Sequence, residues 1–218
     1  MTFKVKLLPL GDSSVLIQLG EEIDLTINQD VHALAELINI SSIQRMVEIV
    51  PAYSTLLVHY DPLVLSFAQM KNHLSALISQ VQKTKPGKPR QVEVPIRYGG
   101  EFGPDLDFVA SHCGLPVEDV VRIHSEKTYT VFMMGFTPGF PYMGKLDDGI
   151  VTPRMETPRT RVPAGTVAIA GSQTGIYPID SPGGWRLIGR TSLRLFDRES
   201  ESPFLLSPGD QVRFVIEK

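Results

Sequence analysis

The chain has 218 residues, 42% hydrophobic and 21% charged, with a formal net charge of −3. A chain of that length buries roughly 70% of its unfolded surface, enough for two domains without covalent staples, and its acidic balance argues against nucleic acid as a partner. The single cysteine, Cys113, excludes an internal disulfide framework and a cysteine-based zinc cluster, and reads as a small buried hydrophobe.

Residues 3–8 and 14–19 alternate as two strands around Leu10–Ser13, with Val15, Ile17 and Leu19 forming the apolar face of the second. The N-terminus lacks a signal-peptide core with a small-residue cleavage site, and no apolar run approaches the ~20 residues that span a bilayer. The cytoplasm is therefore the expected compartment, with no membrane partner. Thr26–Gln29 fits a capping box opening a helix to about Asn39, on which Ile27, Val31, Leu34 and Ile38 share one face. Met46–Val50 and Thr55–Tyr60 read as strands turned at Pro51–Tyr53. Ser66–Gln69 is a second capping box, and Phe67, Met70, Leu74, Leu77, Ile78 and Val81 stripe the helix that follows. Strand–helix–strand–strand–helix, closed by a later strand, is the split βαβ order of ferredoxin-like folds, with both helices on one face of an antiparallel sheet.

Lys83–Arg90 carries four positive charges and reads as a solvated linker between a first domain over 1–84 and a second over 91–218. Val92, Val94 and Ile96 alternate as a strand that either closes the first sheet or opens the second domain. Gly103-Pro104 opens a helix to Cys113 and Leu115-Pro116 another to about Ser125, each with proline at the first helical position. From Tyr129 to the closing strand Gln211–Ile216 short strands alternate with Gly and Pro turns, a pattern that predicts a β-barrel, because closure removes exposed edges.

The heart of that second half is Arg161–Thr191. No charge interrupts Pro163–Ile179, and its glycines and prolines rule out a helix, at about 1 and 3 kcal/mol each. It reads as buried strands Thr166–Ala170, Ile176–Ile179 and Trp185–Ile188, with tight turns at Gly171–Gly175 and Ser181–Gly184. Ser172, Gln173, Thr174 and Tyr177 form a polar rim.

Gly139–Leu146 has the outline GxxxxGK, yet Pro141 removes a phosphate-binding N–H and Leu146 replaces the hydroxyl that a magnesium ion needs. The same stretch makes better sense as a stiff loop whose Phe136, Phe140 and Tyr142 are either core or an apolar binding wall. Burying Trp185 is worth roughly 4–6 kcal/mol as an upper bound, so structure alone can account for it. Arg154, Arg159 and Arg161, kept extended by neighbouring prolines, are either surface arginines beside Glu156 or a guanidinium cluster for a carboxylate or phosphate. No HExxH, acidic metal cluster or GxSxG elbow appears, so a metal site and a self-contained hydrolase are not expected. His124 is the best single general acid–base candidate.

Taken together, GEFGPDL (100–106), IH (123–124), GFTPGFPYMG (135–144), TPR…PR…VPAGTVAIAG (152–171), QTGIYPI (173–179), PGGWRLIGRT (182–191), LFD (195–197) and LSPGD (206–210) resemble the family of the bacterial 5-oxoprolinase B subunit, also labelled allophanate hydrolase subunit 1 or KipI. The resemblance covers nearly the whole chain and is strongest from Gly99 to Phe214. It implies an α+β protein with a ferredoxin-like N-terminal domain followed by a cyclophilin-like β-barrel. It further implies a protein with little activity alone, paired with the C subunit and working with the A subunit to open 5-oxoproline to L-glutamate, with ATP used by the complex at a site not on this chain alone. On this resemblance the substrate contacts are placed at Phe136, Phe140, Tyr142, Gln173, Thr174, Tyr177, Gly183 and Gly184, with Arg154, Arg159 and Arg161 for an anionic group. The alternatives it carries are a KipI-type inhibitor of a sensor histidine kinase and half of a urea-carboxylase-like carboxyltransferase.

Overall fold

The computed structural model describes residues 5–41, 43, 46–81 and 89–217. The chain divides into two units, Met1–Lys88 and Pro89–Lys218. Residues Lys83–Lys88 of the expected linker lie outside the described residues; Arg90 is held by the buried carboxylate of Asp210.

The first unit runs β1 (Lys6–Pro9), β2 (Ser14–Gln18), α1 (Leu25–Ile40), β3 (Met46–Pro51), β4 (Thr55–Tyr60) and α2 (Phe67–Val81). Its sheet has the order β1-β2-β4-β3, antiparallel throughout. β4 is thus inserted between β2 and β3, the two strands that α1 connects, and the split arrangement is present. The fourth strand differs from expectation: among the described residues it is the N-terminal β1, hairpinned to β2, rather than a strand following α2. Val15, Ile17, Leu56 and Val58 meet Val31, Leu34, Ile38, Met70 and Leu74 in one core. Buried Asn28 donates from its side chain to the carbonyls of Ala52 and Tyr53, tying α1 to the β3–β4 turn. The Ser66–Gln69 box forms reciprocally, Gln69 Oε1 accepting from the Ser66 backbone N–H at 2.9 Å and Ser66 Oγ from that of Gln69 at 3.3 Å. For α1 the expected box is corrected: Asp24, two residues earlier, is the cap and accepts from the N–H groups of Thr26 and Ile27.

The second unit contains β5 (Gln91–Tyr98), α3 (Leu106–Cys113), α4 (Val117–Glu126), β6 (Thr128–Met134), β7 (Pro141–Gly144), a 3₁₀ turn at Asp148–Ile150, β8 (Arg159–Val162), β9 (Thr166–Ala170), β10 (Gln173–Ile176), β11 (Ser181–Gly183), β12 (Arg186–Arg190) and β13 (Gln211–Ile216). Seven strands close into a barrel in the order β10-β7-β6-β13-β5-β12-β9, while β8 and β11 pair as a separate ribbon. Val92–Ile96 therefore belongs to the barrel, where β5 runs parallel to β13 and antiparallel to β12. Val94, Ile96, Val131, Met143, Ile169, Ile176, Ile188 and Phe214 fill the interior; each buried aliphatic side chain contributes about 1.5–3 kcal/mol.

Two of the expected turns are strands. Gln173–Ile176 bonds β9 on one side and β7 on the other, leaving only Gly171-Ser172 as the connection. Ser181–Gly183 pairs with β8, and β12 starts at Arg186. The expected strand Ile176–Ile179 ends at Ile176, after which the Tyr177 N–H bonds Thr166. Helix α3 begins later than Gly103-Pro104, because that segment lies against β12. A Cβ on Gly103 would stand 2.1 Å from the Ile188 carbonyl oxygen, and the Asp105 N–H donates to the Leu187 carbonyl. Pro116 is extended (ψ 151°) and sits just outside α4, its carbonyl accepting the first helical bonds.

Candidate functional site

β-Strand periodicity divides the second unit's chemistry between the two sides of its wall. On β9, Val167 and Ile169 point into the barrel, whereas Ala168 and Ala170 join a separate outer cluster with Phe140, Val162, Tyr177, Trp185 and Leu187. The small alanines make room for a nest of rings. Phe140 lies 5.1 Å from Tyr177 and 5.5 Å from Trp185 between ring centroids, in both cases edge-on, and Tyr142 lies 4.8 Å from Phe140. Edge-to-face pairs of this kind add about 0.5–1.5 kcal/mol each beyond area burial. Phe140, Tyr177 and Trp185 are buried floor and Tyr142 is half-buried, while Phe136 at the loop tip is 61% exposed. The core and wall readings of the loop thus apply to different rings. Phe136 also has φ 64°, a left-handed conformation uncommon for a bulky residue.

Gly183 matters to this nest by close approach: a Cβ there would stand 2.2 Å from the Tyr177 hydroxyl, whereas one on Gly184 would make ordinary contact with Pro158. Burial raises the pKa of both Tyr142 and Tyr177, so both hydroxyls stay neutral donors at physiological pH; nearby Arg154 pulls each in the other direction. Gln173 lies opposite Ala170 and Gly144 in the pairing, on the same side of the wall as Gly175 and Tyr142. The GxxxxGK outline is absorbed into β7, whose backbone pairs with β6 and β10.

The three arginines part company. Arg159 donates to Asp105 Oδ1 at 2.8 Å and contacts the Met155 sulfur; the other Asp105 oxygen takes the Leu187 N–H at 2.7 Å. Arg161 clamps Asp180 through two nitrogens at 2.8 and 2.6 Å. The Ala164 N–H first and Arg161 second hold the Asp180 carboxyl below its ordinary pKa. Arg154 has no carboxylate partner among the described residues and lies over the Trp185 ring, 5.8 Å from its centroid. Glu156 partners none of the three.

His124 and Thr174 lie inside the barrel, apart from the outer nest. The His124 ring is fully buried, stacked 4.6 Å from Phe214, and burial pushes its pKa down to about 3. Thr174 Oγ1 lies 3.2 Å from the Ala168 carbonyl, which can only accept, so Thr174 donates its proton there and accepts from His124 Nε2 at 3.0 Å. His124 Nδ1 then accepts from the Tyr98 hydroxyl at 2.7 Å. The imidazole is thereby satisfied at both nitrogens without solvent.

A family model, the carboxyltransferase domain, subdomain C and D, matches residues 5–206. The chain is 42% identical over 225 residues to the 5-oxoprolinase B subunit of Bacillus subtilis (strain 168), covering 99% of this chain and 94% of that protein. It belongs to the 5-oxoprolinase B-subunit family. The family's Escherichia coli O157:H7 protein is 41% identical, covering 96% of this chain and 94% of its own. Among solved structures, TTHA0988 is 40% identical with a TM-score of 0.83, and the match covers 94% of this chain but 40% of that one.

Sequence reasoning misses Asp105 altogether and places Thr174 on the rim, although both lie within the family motifs. Asp105 meets Arg159 across 54 residues and Thr174 meets His124 across 50, separations at which no spacing rule operates. Asp180 is missed as well, although it sits one residue before the β11 strand that pairs with Arg161's own β8. Among the described residues no group of three His, Cys, Asp or Glu is placed to hold a metal ion, and no helix is long and apolar enough to cross a membrane.

Proposed function

We propose that this chain is the B subunit of an ATP-dependent 5-oxoprolinase that opens 5-oxoproline to L-glutamate, and that the outer nest of its barrel is its share of a site completed by the C subunit. The observation that carries this reading is the near full-length identity to B-subunit proteins, joined to a face that offers binding groups and no complete reacting set. Tyr142, Tyr177 and Trp185 supply a rigid floor with neutral donors, Phe136 a projecting wall, Gln173 and the Gly183-Gly184 backbone polar contacts, and Arg154 a guanidinium for the substrate carboxylate. Arg159 and Arg161 act as braces rather than ligands. His124 and Thr174 act from behind, keeping β10 in place; a neutral, enclosed imidazole suits that task better than proton transfer. The first unit is read as ferredoxin-like with its fourth strand supplied from the N-terminus, and the barrel as cyclophilin-like. Matching 40% of a longer polypeptide fits a part that works joined to more protein. ATP is used by the assembled complex at a site not on this chain alone, and the compartment is the cytoplasm.

Reconstitution tests this. The A and C subunits with this chain should hydrolyse ATP in response to 5-oxoproline, and lose that response when the chain is left out; equal activity without it refutes the proposal. The carboxyltransferase family model favours a second reading, half of a urea-carboxylase-like carboxyltransferase, which predicts biotin-dependent carboxyl transfer in place of that response. Inhibition of a purified sensor histidine kinase by the chain alone would instead mark a KipI-type role.

A further inference from the structure

Away from the nest, the GEFGPDL and PGGWRLIGRT segments bring together residues that the proposed site does not use. Arg97 on β5 and Arg190 on β12 are direct partners in the antiparallel pairing, so their side chains leave the barrel wall on the same side. Like charges placed opposite each other repel, and little on the chain offsets them. Arg97 has one carboxylate near it, the partly exposed Glu217 at 3.4 Å. The Arg190 side chain makes no hydrogen bond or ion pair to any described residue, and its Nε is buried without a partner. Asp180, an acid that feels its charge, is already engaged by Arg161 and the Ala164 N–H. Phe102, turned into place where its N–H bonds the Gly99 carbonyl, carries both guanidinium groups over its ring, at 5.6 and 5.8 Å from the centroid.

We propose that Arg97, Arg190 and Phe102 form a second binding site, for a small free oxyanion of the phosphate or carboxylate class. The two forks supply the donors, the ring holds them at a fixed spacing, and the anion relieves the repulsion between them and satisfies the stranded Nε. Occupancy needs neither the nest nor another polypeptide, so this site stands or falls apart from the 5-oxoprolinase reading.

The test uses the full chain, titrated with inorganic phosphate and with acetate against chloride at equal ionic strength. Phosphate or acetate should raise Tm saturably where chloride does not, and should shift the Arg190 Nε–H resonance. Arg190→Met should abolish the response and Arg97→Met weaken it by at least about tenfold, since each removes a charge-assisted fork. Arg213→Met, at an exposed arginine on β13, should respond like the wild type. The proposal is overturned if both anions act no differently from chloride, if Arg190→Met responds as Arg213→Met does, or if the wild-type Nε–H resonance stays still under either anion. That last readout needs no variant to fold.

Discussion

The inner and outer sides of β9 and β10 lie one residue apart along the same strands, yet they treat polar groups in opposite ways. Inside, Tyr98, His124, Thr174 and the Ala168 carbonyl close into a dry chain in which each donor has its acceptor. Outside, the rings are held by aromatic contacts, two arginines are engaged by carboxylates, and Arg154 is kept over Trp185 without one. A fully paired interior confers rigidity, and an unpaired cation on a rigid floor is what remains available to a ligand.

That contrast can be broken most sharply from within. His124→Ala should cost about 3–5 kcal/mol, because it opens a cavity and leaves the Tyr98 hydroxyl without its acceptor; urea unfolding measures it, and a cost below about 1 kcal/mol would mean the hydrogen-bonded chain is not structural. Acid probes the same ring. Its folded pKa of about 3 lies below the ordinary 6.5, so its contribution is complete above pH 6.5 and is lost as pH falls toward 3. Unfolding midpoints from pH 7 to 4 should drop less steeply in His124→Gln than in the wild type, and parallel curves would contradict the assignment. On the outer side, Arg159→Met should cost about 2–3 kcal/mol by leaving Asp105 buried without its cation, whereas Arg161→Ala should cost much less, its pair being exposed. Calorimetry showing equal losses for these two would erase the distinction between brace and surface pair.

Much of the frame is legible in residue order, because short-range patterns encode it. β9 and β13 are found where their apolar runs place them, and the helical spacing of Val117, Val120, Val121 and His124 already puts that histidine on an inward face. β10 and β11 are hidden, since Gly171–Gly175 and Ser181–Gly184 are glycine-rich and become strands only through the neighbours that pair with them. The displaced cap has a similar origin: Asp24 and Thr26 are both competent, and only the path of the chain into α1 selects between them. The site is legible as a set of candidates and not as roles. Three arginines with one sequence environment differ because Asp105 and Asp180 arrive from distant or folded-back segments.

The measurement that bears most directly on the whole account is the 5-oxoproline dependence of the reconstituted three-subunit assembly carrying Arg154→Met. Turnover at low substrate should fall about 10–100-fold, equivalent to about 1.4–3 kcal/mol of lost carboxylate recognition, while Tm and co-elution with the C subunit stay at wild-type values. An assembly that keeps the wild-type kcat/KM with Arg154 replaced would place the substrate elsewhere and contradict the outer nest as its site.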